Sequence, residues 1–207
     1  LRVLFVLATI AAEKFSSKKP AKMTDEELAQ LSSEDAEYFG HLMDRYERRL
    51  LVYIHRLLSI ADADAEDILQ DSFIKAYTNI NNFDPDLKFS SWIYRITHNQ
   101  AISYYRKQKA RPYTMTSEDS EMIFHTLASE LDIKKNLNKK MNAEQIRKIL
   151  EDVHPKYRDV LILKFLEEKD YKEISDILKK PMGTVATLIN RAKAQFKKLL
   201  ITHGYEL

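Results

Sequence analysis

Three stretches of this sequence combine residue types that could do recognition chemistry. Between Ala61 and Asp71 the chain sets Asp62, Asp64, Glu66, Asp67 and Asp71 with no base among them. A surface of that kind suits a basic protein partner. From Leu87 to Thr116 the balance inverts: Lys88, Arg95, Arg106, Lys107, Lys109 and Arg111 stand with no acid. From Ile177 to Tyr205 it does so again, with Lys179, Lys180, Arg191, Lys193, Lys197 and Lys198. Solvated helix faces would account for any one run. Three segregated runs point instead to a polyanion and to a separate basic partner. The first basic run is interleaved with Phe83, Phe89, Trp92, Tyr94, Tyr104 and Tyr105, beside the Asn-rich loop that holds Asn81 and Asn82. Cations that follow a backbone, with rings on which unpaired bases stack, are what single-stranded nucleic acid needs. Trp92 taken alone is more often a core residue.

Catalytic patterns are missing. The six histidines (His41, His55, His98, His125, His154, His203) show no His-Glu-x-x-His, and there is no Walker loop, Gly-rich fingerprint or nucleophile elbow. The stretch Asp62–Phe73 lacks the Gly and the final Glu of an EF-hand loop. With no cysteine, neither a disulfide framework nor a thiolate metal site can form, and a reducing compartment is permitted. No enzyme, no cofactor and no metal site is expected.

These residues must be placed by helices. The chain has 207 residues, 44% of them hydrophobic, but only three glycines and five prolines, a balance that favours helices over turn-rich strands. Tyr38, Leu42, Tyr46, Leu50, Tyr53 and Leu57 recur at spacings of three and four and predict a helix over 34–59. Asp62 or Asp64 can cap a second helix, with Ile68, Leu69, Phe73, Ala76 and Tyr77 as its apolar stripe, to about Asn79. A loop follows from Asn79 to Lys88. Ser90 then caps a third helix carrying Trp92, Ile93, Ile96, Ala101 and Tyr104, and Pro112 closes this half.

Residues 112–140 show no strong period and read as a linker, with a loose helix over 120–130. Beyond it, Ile146, Ile149 and Val153 share a helix, and Pro155 suits the first turn of the next, with Val160, Leu161, Leu163, Phe165 and Leu166 apolar. Asp170 and Glu173 form a capping-box pair starting a short helix to Leu178. After a break at 179–182, the last helix runs from Gly183 to Leu200. Short helix, tight break and longer helix make a helix-turn-helix, whose second helix enters the major groove. Val185, Ile189, Ala192, Phe196 and Leu199 fall on its inner face and leave Thr184, Thr187, Asn190, Arg191 and Lys193 partly outward. A plain helical hairpin would show the same stripe, but the lack of any acid in this region favours DNA. Lys197 and Lys198 would contact phosphates without reading sequence.

The N-terminus is the odd part. Leu1–Ala12 is apolar behind one Arg, too short for a membrane span and superficially like a signal peptide. No membrane insertion is expected. A true start at Met23, an alternative start codon or further upstream sequence would explain both this stretch and the missing initiator as well as secretion does. Since nothing downstream looks secreted, the mis-set start is preferred.

The segments DAEDILQDSFIKAY (Asp64–Tyr77), FSSWIYRITHNQAISYYRKQK (Phe89–Lys109) and HPKYRDVLILKFLEEKDYKEISDILKKPMGTV (His154–Val185), in this order, closely resemble the sigma factors of bacterial RNA polymerase, of the sigma-70 family and extracytoplasmic-function group. The resemblance spans about 36–202. It implies an all-α fold of two small helical domains joined by a flexible linker: region 2, with three helices, over 34–111, and region 4, with four helices including the helix-turn-helix, over 141–202. Residues 1–33 are then an extension and 112–140 the linker.

The resemblance also assigns roles. Asp64, Asp67, Gln70 and Asp71 would dock on the clamp helices of the polymerase β′ subunit. Asn81, Asn82, Phe83, Lys88, Trp92, Arg95, Tyr104, Tyr105, Arg106 and Lys107 would read the melted −10 strand and capture a flipped base. Thr184, Thr187, Asn190, Arg191, Lys193 and Lys197 would read the −35 duplex, and the same domain would meet the β flap. Core RNA polymerase supplies the catalysis, an anti-sigma factor is a further candidate partner, and the location would be cytoplasmic.

Two departures from the family pattern stand out. Lys179-Lys180-Pro181 replaces the usual Gly-Ile-Pro of the turn, which puts a side chain at a position suited to a left-handed helix terminus. Ala186-Thr187-Leu188 replaces the usual Lys-Ser-Arg, so the −35 readout should be weaker or more apolar, leaning on thymine methyl groups. The competing readings are an ordinary helix-turn-helix regulator that binds duplex DNA through 141–202 without core polymerase, and a helical adaptor that binds protein only. The first leaves both the acidic helix and the aromatic-basic helix without a role.

Overall fold

The computed structural model describes residues 20–58, 60–108, 116–130 and 143–205, and these hold helices with no strand among them. The all-α class is as expected. Backbone contacts divide the chain into two units, one of residues 1–55 and 60–111, the other of 56–59 and 112–207.

In the first unit, α1 (Asp25–Leu31) and α2 (Ala36–Leu57) precede α3 (Asp62–Thr78), and after a 3-10 turn at Ile80–Asn82 the chain enters α4 (Phe89–Gln108). The period of α2 does what it predicts: Tyr38, Leu42, Tyr46, Leu50, Tyr53 and Leu57 are all buried. On α3, Ile68, Leu69, Phe73 and Ala76 are buried as expected, joined by Ala65 and by Ser72, whose hydroxyl donates to the Ile68 carbonyl at 2.7 Å.

The helix starts differ from expectation. Neither Asp62 nor Asp64 caps α3; Ala61 holds that position with no side-chain bond, and both carboxylates sit in the first turn, where the helix dipole favours negative charge. Nor does Ser90 cap α4, which begins one residue earlier at Phe89. Its cap comes from far away in sequence. The Phe89 amide donates to Glu26 Oε1 of α1 at 2.9 Å.

Part of the expected N-terminal extension is thus built into this unit. Thr24 and Glu27 form a capping box (Thr24 N–H to Glu27 Oε2 2.9 Å, Glu27 N–H to Thr24 Oγ1 3.2 Å) that starts α1, and Leu28 and Ala29 are buried. Met23 is buried too. Asp25 takes Arg45 Nη1 on one carboxylate oxygen at 2.6 Å and the Tyr46 hydroxyl on the other. Burial first, and then the bond to Asp25, pushes the Tyr46 hydroxyl far above its ordinary range. Leu1–Ala12 lies outside the described residues, as do Lys109, Arg111 and Pro112.

The second unit holds α5 (Ser117–Glu130), α6 (Ala143–Glu151), α7 (Pro155–Leu161), which widens into a π turn at Ile162–Leu166, then α8 (Tyr171–Leu178) and α9 (Met182–Thr202). The loose helix expected over 120–130 is a packed one. It starts at Ser117, and Ile123, Phe124, Leu127 and Ala128 are buried, with the Phe124 ring edge-on to Phe196 of α9 at 5.8 Å. Those four positions at spacings of one and three were diluted by polar neighbours in sequence. The rest of 131–142 lies outside the described residues. Ile149, Val160, Leu161, Leu163, Phe165 and Leu166 are buried as expected; Val153 is buried too, but just past the end of α6 rather than on it. On α9 the inner face ends on Leu200 rather than Leu199, which is half-buried, because the stripe drifts as a 3.6-residue turn requires.

Packing of α5 is directly measurable. Phe124→Ala should lower the stability of the full chain by about 3–5 kcal/mol. Urea unfolding followed by circular dichroism reads it, and an unmoved midpoint would return this segment to linker status.

Candidate nucleic-acid interface

The acidic surface lies on α3. Asp67 and Asp71, four residues apart, are exposed, while Asp64 and Gln70 are half-buried at its edge. Ile74, one turn from Asp71 on the same side, is also exposed. Tyr104 of α4 stands next to this surface: desolvation, a hydrogen bond to Asp64 and the charges of Asp64 and Asp67 hold its hydroxyl above the usual range. Two residue sets that sequence reasoning kept apart therefore meet here.

The loop between α3 and α4 is built around rings. Phe83 and Phe89 meet edge-on at 5.5 Å, Trp92 lies 5.4 Å from Phe83 and 5.7 Å from Phe89, and Tyr46 closes on Phe89 at 5.5 Å. All four are buried. Phe83 and Trp92, expected to offer faces to unpaired bases, instead form the core beneath the loop with Phe89, and Tyr94 is buried against Tyr53 of α2. The physical reason is their number: rings this large gain more from each other and from exclusion of water than a single exposed platform can return. What remains outward is Asn81, Asn82, Lys88, Tyr105, Arg106 and Lys107, with Arg95 and Tyr104 half-buried. Asp84 stiffens the loop by accepting the Asp86 amide on its side chain and the Leu87 amide on its carbonyl, both at 3.0 Å.

In the second unit the Asp170–Glu173 capping box is present in both directions, at 2.8 and 3.0 Å. The turn after α8 places Lys179 at φ 52°, ψ 44°, a left-handed conformation that a side chain resists. The Ser175 hydroxyl donates to the Lys180 carbonyl at 2.6 Å, and the Lys180 amide returns to the Ser175 carbonyl at 3.2 Å. On α9, Thr184, Thr187, Asn190, Arg191 and Lys197 are exposed and Lys193 is half-buried. Thr187 donates its hydroxyl to the Gly183 carbonyl at 2.7 Å. Ala186 and Leu188 are half-buried, and Met182 is 54% exposed at the helix start.

Comparison with known proteins agrees with this layout. Residues 42–111 match the Sigma-70 region 2 family and residues 143–196 the Sigma-70, region 4 family. Over 186 residues the chain is 34% identical to the ECF RNA polymerase sigma factor SigW of Bacillus subtilis, covering 86% of this chain and 97% of that protein. The chain belongs to the extracytoplasmic-function sigma factors.

A similar relation holds with the ECF RNA polymerase sigma-E factor of Haemophilus influenzae, 31% identical over 83% of this chain and 93% of the relative. Among solved structures, CnrH in complex with the cytosolic domain of CnrY aligns with a TM-score of 0.59 at 25% identity, over 86% of this chain and 97% of CnrH. The sigma factor RpoE of Bartonella quintana, solved with the anti-sigma factor NepR, shares the fold at a TM-score of 0.53 and 18% identity, over 78% of this chain and 96% of that one. As a sigma factor the protein serves promoter-specific transcription initiation, rather than acting as an ordinary helix-turn-helix regulator. No described helix is long and apolar enough to cross a membrane.

The region 2 match begins within α2, so α1 lies ahead of it, and α5 lies between the two matched regions. Sequence reasoning gave no role to Asp25, Glu26 or Ser175. A signal for α1 was present: Thr24-Asp25-Glu26-Glu27 is the Thr-x-x-Glu of a capping box. The long-range bonds of Asp25 and Glu26 have no local signature.

The strained turn makes a prediction. Lys179→Gly should raise stability by about 0.5–1 kcal/mol, the left-handed penalty less the backbone entropy that glycine adds to the unfolded chain. A higher melting temperature by calorimetry is the expected result, and a lower one would show that the Lys179 side chain contributes more than its backbone costs.

Proposed function

We propose that this sigma factor docks on core RNA polymerase through the acidic face of α3, reads the melted −10 strand with the Asn79–Phe89 loop and α4, and reads the −35 duplex with α9. In this reading Asp64, Asp67, Gln70 and Asp71 meet the β′ clamp helices. Asn81, Asn82, Lys88, Arg95, Tyr104, Tyr105, Arg106 and Lys107 face the −10 strand, and the second unit also meets the β flap. The observation that carries the proposal is the exposure of Asp67 and Asp71 on one helix and of a cation-bearing, acid-free α9 on another, within regions that match region 2 and region 4. Catalysis belongs to the polymerase, and no cofactor is assigned to this chain. A cytoplasmic location and an anti-sigma partner are part of the proposal; the similar CnrH is seen bound to the cytosolic domain of CnrY.

The division of labour is physically sufficient. Extruding a base costs a few kcal/mol, which its pocket and stacking on side chains offset, so no ATP is required. With Phe83 and Trp92 in the core, the rings left to stack are those of Tyr104 and Tyr105. On α9 no cation stands between Met182 and Asn190, and Arg191 is the first. The N-terminal turns of a recognition helix reach base edges. Here they carry Thr184, Thr187 and Asn190, which favour adenine edges and thymine methyl groups over the guanine contacts that Arg and Lys make.

Two outcomes test the proposal. Asp67→Lys with Asp71→Lys should weaken association with core polymerase by about tenfold or more, as reversal of paired charges at an interface does; equal affinity for core would remove the docking face. Installing Ala186→Lys and Leu188→Arg should steepen the salt dependence of −35 binding by up to about 1.8 in log–log slope, since each new phosphate contact adds about 0.9. A slope that does not change would place these positions away from DNA. Beyond both, the chain mixed with core should open promoters in a −10-dependent manner, and failure to form any complex with core would end the reading.

A further inference from the structure

α1 touches both stems of the loop between α3 and α4. It packs on the 3-10 turn Ile80–Asn82 at one end and on α4 at the other. Its two adjacent carboxylates divide the work. Asp25 fastens α1 to α2 through Arg45 and Tyr46, and Arg45 also donates to the Pro20 carbonyl at 3.1 Å. Glu26 reaches the start of α4, where its Oε1 accepts the Phe89 amide at 2.9 Å.

The first amides of a helix have no acceptor within the helix. Lys88, whose carbonyl receives the Ser91 and Trp92 amides at 3.1 and 3.3 Å, occupies the capping position of α4. An ammonium has no acceptor lone pair, so Lys88 cannot cap through its side chain. Glu26 supplies that acceptor and puts a negative charge at the positive end of the helix. Directly before this point the loop residues Asp84, Pro85, Asp86 and Lys88 are exposed, hung between the buried rings of Phe83 and Phe89.

We infer that α1 is a positioning element for the −10 reader, with Glu26 as its positioning residue: by fixing where the loop ends and α4 begins, it arranges Lys88 and the loop backbone before DNA arrives. The inference rests on the reading of the Asn79–Phe89 loop as the −10 reader. Without Glu26 the end of the loop frays, and the entropy of re-forming it is charged to base capture. Core docking through Asp67 and Asp71, on the outward face of α3, is spared.

The test uses full-length chain assembled with core polymerase, as wild type, Glu26→Ala and Glu26→Gln. Affinity for core and promoter opening, the latter read by permanganate reactivity of melted thymines, are measured side by side on an intact and a scrambled −10 element. Glu26→Ala is expected to reduce opening about tenfold, the effect of a lost helix cap, with affinity for core and helical circular dichroism unchanged. Glu26→Gln keeps an oxygen that can accept the Phe89 amide and should stay within about twofold of wild type. The inference is overturned if Glu26→Ala opens promoters like wild type, if Glu26→Gln is as deficient as Glu26→Ala, or if opening and core affinity fall together, which would make Glu26 a residue of the fold alone. Should wild type open the intact and scrambled elements equally, the loop reading fails and takes the inference with it; −10-dependent opening that Glu26→Ala leaves unchanged removes the inference only.

Discussion

Phe83 and Phe89 stand at the two ends of an exposed loop, and their rings meet at 5.5 Å with Trp92 lying against both. That contact is the constraint on which the first unit depends. Each ring contributes large apolar area, and edge-on pairs add about 0.5–1.5 kcal/mol beyond burial. Tying two chain ends together also restricts the polar segment between them. The residues proposed for recognition can then be exposed without being loose, because what holds them is buried beneath them.

Helix starts recur as the points where this protein spends its polar groups. Thr24 with Glu27 and Asp170 with Glu173 satisfy the first amides of α1 and α8 locally. Glu26 does the same for α4 from another helix. A local box organises only its own turn, whereas a carboxylate lent across the fold fixes two elements relative to each other. Asp25, gripping Arg45 and Tyr46 beside it, keeps that loan in register. At the other end of a helix, Lys179 accepts a left-handed conformation that glycine would adopt without strain, and the Ser175–Lys180 bonds close the turn around it.

The surfaces assigned to recognition share a chemical logic. Each is a set of short or charged side chains on the outer face of a helix whose inner face is apolar, save for Ser72 on α3, whose hydroxyl is satisfied by the Ile68 carbonyl. On α3 the first three turns carry only acids, with Asp67 and Asp71 exposed, and the one base, Lys75, comes in the last turn; on α9 the charges are basic and begin only at Arg191. Charges of this kind steer and orient partners more than they bind them, so recognition by such a chain rests on several modest contacts used together.

From the sequence alone the all-helical class, the core stripe of α2, the Asp170–Glu173 box, the helix-turn-helix and the family were legible, because each is written in spacings of three or four or in ordered local motifs. The acidic and basic sets were legible as types, since charge does not depend on packing. Tertiary structure alone decided which aromatic residues are core and which are surface: Phe83 and Trp92 went inward while Tyr105 stayed out, a choice settled by which rings find one another and not by composition. It also decided that α5 is packed, that Glu26 rather than Ser90 serves α4, and that Asp25 is a clasp. Those are contacts between residues distant in sequence, and local spacing carries no record of them.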